Sequence, residues 1–129
     1  MPFGYNQIFT DIPESWETSG LVSIVDGSGT PSFTAQPSGV ISSITRSSTG
    51  VYVIALSDAW NSLKYCYATP IGADGYTIAV AAYTVGATPT ASSSTLPTIT
   101  LHVLYSASIV DLPSGSSFCF HLILKKMSL

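Results

Sequence analysis

Two stretches near the end of the chain place a large apolar residue at every second position. In Thr98–Ser106, Ile99, Leu101, Val103 and Tyr105 share one parity, and in Ser117–Lys126 Phe118, Phe120, Leu122 and Leu124 do the same. Successive side chains of a strand point to opposite faces, so each set lines one side of a pleated sheet. A sheet with one apolar face has to cover it with a second layer. This pattern sets the fold class before any other feature is read.

The stretches upstream are shorter but of the same kind. Leu21–Val25 is strand-like and ends at the turn signal Asp26-Gly27-Ser28-Gly29. Ser32–Gln36 lies between two prolines. Val40–Arg46 and Val51–Leu56 read as a hairpin closed by Ser47-Ser48-Thr49-Gly50, and neither arm holds a proline that would exclude a central position. Tyr65–Thr69 precedes Pro70, and Tyr76–Val85 follows the turn Asp74-Gly75. Ser57–Leu63 breaks the rhythm and reads as one capped helical turn that docks Trp60 and Leu63. Gly86–Pro97, rich in Ser, Thr, Ala and Pro, reads as a surface loop, and Asp111–Gly115 connects the last two strands. The expected architecture is all-β: a β-sandwich or jelly-roll-like barrel over residues 21–129, preceded by an irregular arm over residues 1–20.

The arm carries Phe3, Tyr5, Ile8, Phe9, Ile12 and Trp16 without alternation, and Asp11 reads as the cap of a helical turn through Glu14–Thr18. So many large apolar groups do not stay in water: either they cover the domain's own core or they reach a neighbouring subunit. Phe3, Tyr5, Ile8, Phe9 and Trp16 are the candidate contact residues.

The chain has 129 residues, one domain's worth. Only 9% of them are charged, against roughly 25% in a typical soluble domain. A surface of Ser, Thr, Gly, Ala and Tyr loses little desolvation energy when a partner covers it, which favours an assembly subunit over a free monomer. Four cations, Arg46, Lys64, Lys125 and Lys126, within a net charge of −3 are too few for nucleic acid. The two lysines at the end of the last strand meet either an acidic neighbour or water. No apolar run reaches membrane-spanning length, and no export signal is visible at the N-terminus. Cys66 and Cys119 lie on separate strands and read as core thiols, although a bridge is geometrically open.

No reactive constellation emerges. If Ser106 pairs with Ser117, His102 falls opposite His121 with Cβ atoms about 4.5–5.5 Å apart. Zinc takes four ligands, or three and water, and Cys119 is the only soft neighbour among Thr100, Leu104 and Ile123. The expectation is two half-exposed histidines and no metal. Glu14 and Glu17 as a glycosidase pair, or a serine with His102 or His121 as a hydrolase, lack motif context, for there is no Gly-x-Ser-x-Gly elbow. Walker, dinucleotide and Cys-x-x-Cys motifs are missing as well. Most of the seven acids fall in turns, where an aspartate is explained by its local hydrogen bonds to backbone. Tyr52, Tyr65, Tyr67, Tyr76 and Tyr83 suit either a sugar-binding face or, more simply, core or cross-strand packing. The chain is expected to be no enzyme, with no cofactor and no metal.

The run Ile44-Thr45-Arg46-Ser47-Ser48-Thr49-Gly50-Val51-Tyr52-Val53-Ile54-Ala55-Leu56-Ser57-Asp58-Ala59-Trp60-Asn61-Ser62-Leu63 resembles small virion-associated proteins of tailed phages. In those proteins a Thr/Arg strand, a Gly-x-Tyr turn into a second strand and an Asp-aromatic-x-x-Leu turn follow in order. The ending Phe118-Cys119-Phe120-His121-Leu122-Ile123-Leu124-Lys125-Lys126 is similar to their closing strand. Trp60 stands where a smaller aromatic is expected, and the lysines replace a more polar ending. The resemblance covers about half the chain. It implies a capsid decoration (cement) protein, made in the host cytoplasm. Such a protein is homo-oligomeric, often trimeric, and sits on the capsid exterior, where it binds the major capsid protein and stabilises contacts between capsomers. A tail-fibre or tail-tip module binding host glycan, through a loop such as Gly86–Leu96, is the alternative.

Overall fold

The computed structural model describes residues 15–36, 38–57, 62–84 and 97–125. They form nine strands and, among the described residues, no helix: β1 (Ser15–Ser23), β2 (Ser32–Gln36), β3 (Ile41–Ser48), β4 (Val51–Leu56), β5 (Ser62–Ile71), β6 (Tyr76–Thr84), β7 (Thr98–Tyr105), β8 (Ser108–Ile109) and β9 (Ser117–Lys125). Two antiparallel sheets pack face to face as a β-sandwich. Sheet A runs β2-β1-β9-β5 and sheet B runs β3-β4-β7-β6, with β8 folded back on β7.

Alternation decides what lies between the sheets. Sheet A turns Val22, Phe118, Phe120, Leu122 and Leu124 inward, and sheet B answers with Ile44, Tyr52, Ile54, Leu56, Ile99, Leu101 and Val103, all 2% exposed or less. Fully burying one such side chain is worth about 1.5–3 kcal/mol. Leu112, on the connection between β8 and β9, closes one end of the core.

The last two alternating stretches are strands as expected, but they are not neighbours. β7 belongs to sheet B and β9 to sheet A, where β9 lies between β1 and β5. The chain first doubles back at Ser106 and Ala107, both at positive φ (50° and 66°), and forms the hairpin β7–β8. It then crosses between the sheets. The turn Pro113–Ser116, with Gly115 at φ 88°, anchors the crossing: Gly115 N donates to Ile24 O (2.6 Å), Ile24 N to Ser116 O (2.9 Å) and Gly27 N to Ser114 Oγ (2.9 Å).

Two local expectations are corrected. Ser15–Thr18 are strand, not part of a helical turn, and β1 begins inside the segment read as the arm. Pairing with Leu122–Lys125 of β9 supplies a ladder that a single capped turn does not match, and buried Thr18 donates its hydroxyl to Gln36 O at 3.1 Å. Likewise Ser62 and Leu63 already belong to β5, so the expected turn does not extend to them; Asp58, Ala59, Trp60 and Asn61 lie outside the described residues.

The edges are blunted in different ways. β5 has a bulge at Lys64 and holds Pro70, β3 shifts register twice, and β2 is short. Bulges, charges and prolines discourage edge-to-edge pairing. Edge strand β6 has only a bulge between Val80 and Ala82 and no charge.

Candidate functional site

The outer face of sheet A is built by parity and by one irregularity. Leu63 faces the core opposite Leu124, but the bulge at Lys64 resets the alternation, so Tyr65 pairs with Ile123 and Tyr67 with His121 on the outer side. Without the extra residue, Tyr65 and Tyr67 would share the inward side of Leu63. They stand 45% and 56% exposed. Leu21 and Ile71 are exposed on the same face.

A row of outward residues crosses all four strands: Gln36, Ser19, His121 and Tyr67. Glu17 lies one outward position along β1 from Ser19 and forms an ion pair with His121, its Oε2 against Nε2. The Tyr65 ring meets the His121 ring edge-on, with centroids 5.5 Å apart and planes at 74°. The imidazole is thus held from two sides. Between these larger groups, Ser19 and Cys119 are small. The difference in height leaves a shallow depression of about 580 Å³ lined by Glu17, Ser19, Gln36, Tyr67, Cys119 and His121. A smaller groove of about 310 Å³ runs along the seam between β5 and β6, past Tyr67, Pro70 and Tyr76.

The outer face of sheet B has a different chemistry. By register, its outward positions include Ser43, Thr45 and Ser48 of β3, Val51, Val53 and Ala55 of β4, Thr98, Thr100, His102 and Leu104 of β7, Ile109 of β8, and Thr77, Ala79, Ala82 and Thr84 of β6. None is an acid, a lysine or an arginine. Most are small or β-branched, so the face is level.

The assumed register of the two histidines does not hold. His102 pairs with Val51 and Ala79 on sheet B, and His121 pairs with Ser19 and Tyr67 on sheet A. They sit on opposite outer sides of the sandwich, because the β8–β9 connection crosses between the sheets. Cys119 is therefore not diagonal to His102. Among the described residues no group of three or more His, Cys, Asp or Glu is placed to hold a metal.

Ser19, His121 and Glu17 adjoin, but no hydrogen bond joins Ser19 to His121. The neighbouring backbone of β1 and β9 is paired in the sheet ladder. The cysteines are both free. Cys66 pairs with inward Leu122, whereas Cys119 pairs with Leu21 and Thr69 on the outer face, so the two thiols point to opposite sides of sheet A. Burial pushes the Cys66 thiol up to about 11.

Of the proposed contact residues, Trp16 lies in β1 opposite Leu124, 51% exposed at the end of sheet A. Phe3, Tyr5, Ile8 and Phe9 lie outside the described residues, as do Glu14, Lys126 and Gly86–Leu96. Tyr52 is core, and Tyr76 and Tyr83 are half-buried on β6. Tyr65 and Tyr67 point outward, and Tyr65 also packs cross-strand on His121; the spacing Tyr-x-Tyr puts the two on one side of the strand, but which side depends on the bulge. No described helix is long and apolar enough to cross a membrane. Neither protein-family models, nor curated proteins, nor solved structures give a match to this chain.

Proposed function

We propose that this protein is a virion structural subunit, a decoration protein that binds the outer surface of a phage head and strengthens the seams between capsomers. The observation that carries the reading is the level, uncharged outer face of sheet B. Interface cores are depleted in charged residues, and a Thr/Val/Ala face leaves few desolvated ions when another subunit covers it. The apolar residues of the N-terminal segment add a second contact. Phe3, Tyr5, Ile8 and Phe9 would reach the major capsid protein or a neighbouring copy from the end of sheet A at which β1 begins. The oligomer proposed is a trimer.

The test is co-sedimentation with emptied heads, together with the mass of the protein in solution. Saturable binding to heads by an oligomer is the expected result, as is loss of that binding when residues 1–14 are deleted. The cut stops at residue 14 because a longer one removes paired residues of β1. A monomer that ignores heads overturns the proposal. A tail-fibre or tail-tip location is the competing reading, and binding to purified tails but not to heads would select it.

A further inference from the structure

We infer that the depression on sheet A is a binding site for a neutral saccharide. A pyranose presents two kinds of surface: a face of C–H bonds and a rim of vicinal hydroxyls. The depression offers a partner for each. Tyr67, the more exposed of the two outward tyrosines, gives a ring on which the C–H face can lie, much as aromatic rings pack against other weakly polar surfaces. Across a floor kept low by Ser19 and Cys119 stand a carboxylate (Glu17), an amide (Gln36), a hydroxyl (Ser19) and an imidazole (His121). Carboxylate and amide each carry acceptors in one plane, and the amide also donates, so each can meet two adjacent hydroxyls at once.

Two groups of the site, Glu17 and His121, are held in advance of any ligand. Glu17 binds His121 through Oε2, leaving Oε1 for a ligand, and Tyr65 meets the imidazole edge-on. Groups already fixed lose less freedom on binding. All of them stand on strands rather than loops, and the row Gln36–Ser19–His121–Tyr67 spans the sheet.

Other ligand classes fit less well. Phosphates and nucleic acids need cations, and neither a lysine nor an arginine lines the depression. An acidic ligand would meet the Glu17 carboxylate. An added peptide strand needs a free sheet edge, whereas the floor is formed by β1 and β9, each paired on both sides. A shallow site with one stacking ring binds weakly, with a dissociation constant on the order of 1–10 mM, and repetition over many copies would raise its avidity. The inference is independent of head binding, since it concerns the isolated chain.

The experiment is an amide NMR titration of the full chain with the methyl glycosides of glucose, galactose, mannose and N-acetylglucosamine, each to roughly 100 mM. The expected result is saturable shifts with at least one of them, confined to Glu17–Gly20, Cys119–His121, Tyr67 and the Gln36 side-chain amide. Tyr67→Ala, with an otherwise unchanged spectrum, should weaken binding by about tenfold or more, and Gln36→Ala by a smaller factor. Tyr105→Ala, which removes an exposed tyrosine from sheet B, should leave it unchanged. The inference is overturned by the absence of saturable shifts with all four glycosides or by shifts that map elsewhere. It is equally overturned by undiminished binding in folded Tyr67→Ala, or by tighter binding of glucuronate than of glucose.

Discussion

Arg46 grips Asp111 with two parallel N–H groups on one edge of its guanidinium: Nε donates to Oδ1 at 2.9 Å and Nη2 to Oδ2 at 2.8 Å, although 65 positions separate them in the chain. The same Oδ1 accepts the Gly50 N–H at 2.7 Å, and Nη2 also reaches Thr49 Oγ1 at 3.3 Å. One carboxylate on the connection between β8 and β9 thereby fastens the β3–β4 hairpin to the segment that carries the chain across to sheet A. Arg46 is the only arginine in the sequence, and its planar fork matches a carboxylate in a way an ammonium does not.

This relationship predicts an acid-sensitive fold. The Arg46 hydrogen bonds, helped by the Gly50 N–H, hold the Asp111 carboxyl below the usual aspartate range. The unfolded chain then takes up a proton at higher pH than the folded one. The stabilisation is complete above the ordinary aspartate value and is lost as pH falls through the lower, folded value. Thermal midpoints measured below about pH 4 should fall less steeply in Asp111→Asn than in the parent. Asp111→Ala leaves the Gly50 N–H without its acceptor and should cost about 1–3 kcal/mol at neutral pH. Arg46→Lys keeps the charge but not the fork, and should also lower the urea midpoint.

Gly50 is the position in this knot least able to change. It has φ 68°, and a Cβ there would stand 2.5 Å from Val110 O and 2.7 Å from Ile109 Cγ2. The backbone carbonyl has no rotamer to escape into. Gly50→Ala should therefore cost about 1–3 kcal/mol from overpacking and loosen the contact between the hairpin and Asp111. Urea denaturation reads the first effect, and amide exchange at Val103, whose N–H donates to Gly50 O at 2.8 Å, reads the second.

Much of the core was legible in the sequence because period-two alternation is a local property. Phe118, Phe120, Leu122 and Leu124 declare their common face without knowledge of the partner strand, and Ser32–Gln36 and Val51–Leu56 are bounded by turn residues at both ends. Which strand pairs with which is not local. The alternation of β7 and β9 is equally compatible with one hairpin or with two sheets, and the difference moved His102 and His121 to opposite sides of the molecule. The side of the sheet that Tyr65 and Tyr67 take was hidden for a related reason. Tyr65 and Tyr67 point outward only because Lys64 forms a bulge, and an extra residue in a strand leaves no mark in composition. The hairpin β7–β8 was hidden too, since Ser106-Ala107 lacks the Asn-Gly or Asp-Gly signature of such turns.

The two thiols should differ in reactivity. Both thiols are half-buried, but Cys66 is on the inward side of sheet A, where burial pushes it up to about 11, whereas Cys119 is on the outer face. At pH 8, a thiol-reactive dye should label Cys119 faster than Cys66, and Cys119→Ser should abolish the fast phase. The raised Cys66 value also has a sign for stability: the unfolded thiol loses its proton first, so the contribution is present below about pH 9 and is lost as pH rises towards 11. Cys66→Ala should flatten that alkaline limb.

Tyr52 is fully buried, its ring 5.8 Å from that of Phe118, and its hydroxyl has no hydrogen-bond partner among the described residues. A buried hydroxyl without a partner costs about 1–3 kcal/mol. Tyr52→Phe keeps the ring and removes that cost. The variant should match or exceed the parent in stability, by up to about 2 kcal/mol, in a urea melt with an unchanged slope. A loss of stability would show that the hydroxyl does satisfied work in the core.

The turn between β7 and β8 offers the opposite kind of change. Ser106 and Ala107 both hold positive φ, and Ala107 at 66° has no side-chain polar group to compensate. A left-handed L-residue costs about 1–2 kcal/mol, which glycine avoids, although glycine also gives the unfolded chain about 0.4–1 kcal/mol more entropy to lose. Asparagine tolerates the first position better than serine does. The double change Ser106→Asn, Ala107→Gly should therefore stabilise the protein by roughly 1 kcal/mol. The gain should appear as slower amide exchange at Val110, whose N–H donates to Val103 O at 3.0 Å. An earlier melt in the double variant would show that Ser106 and Ala107 are not strained in the turn.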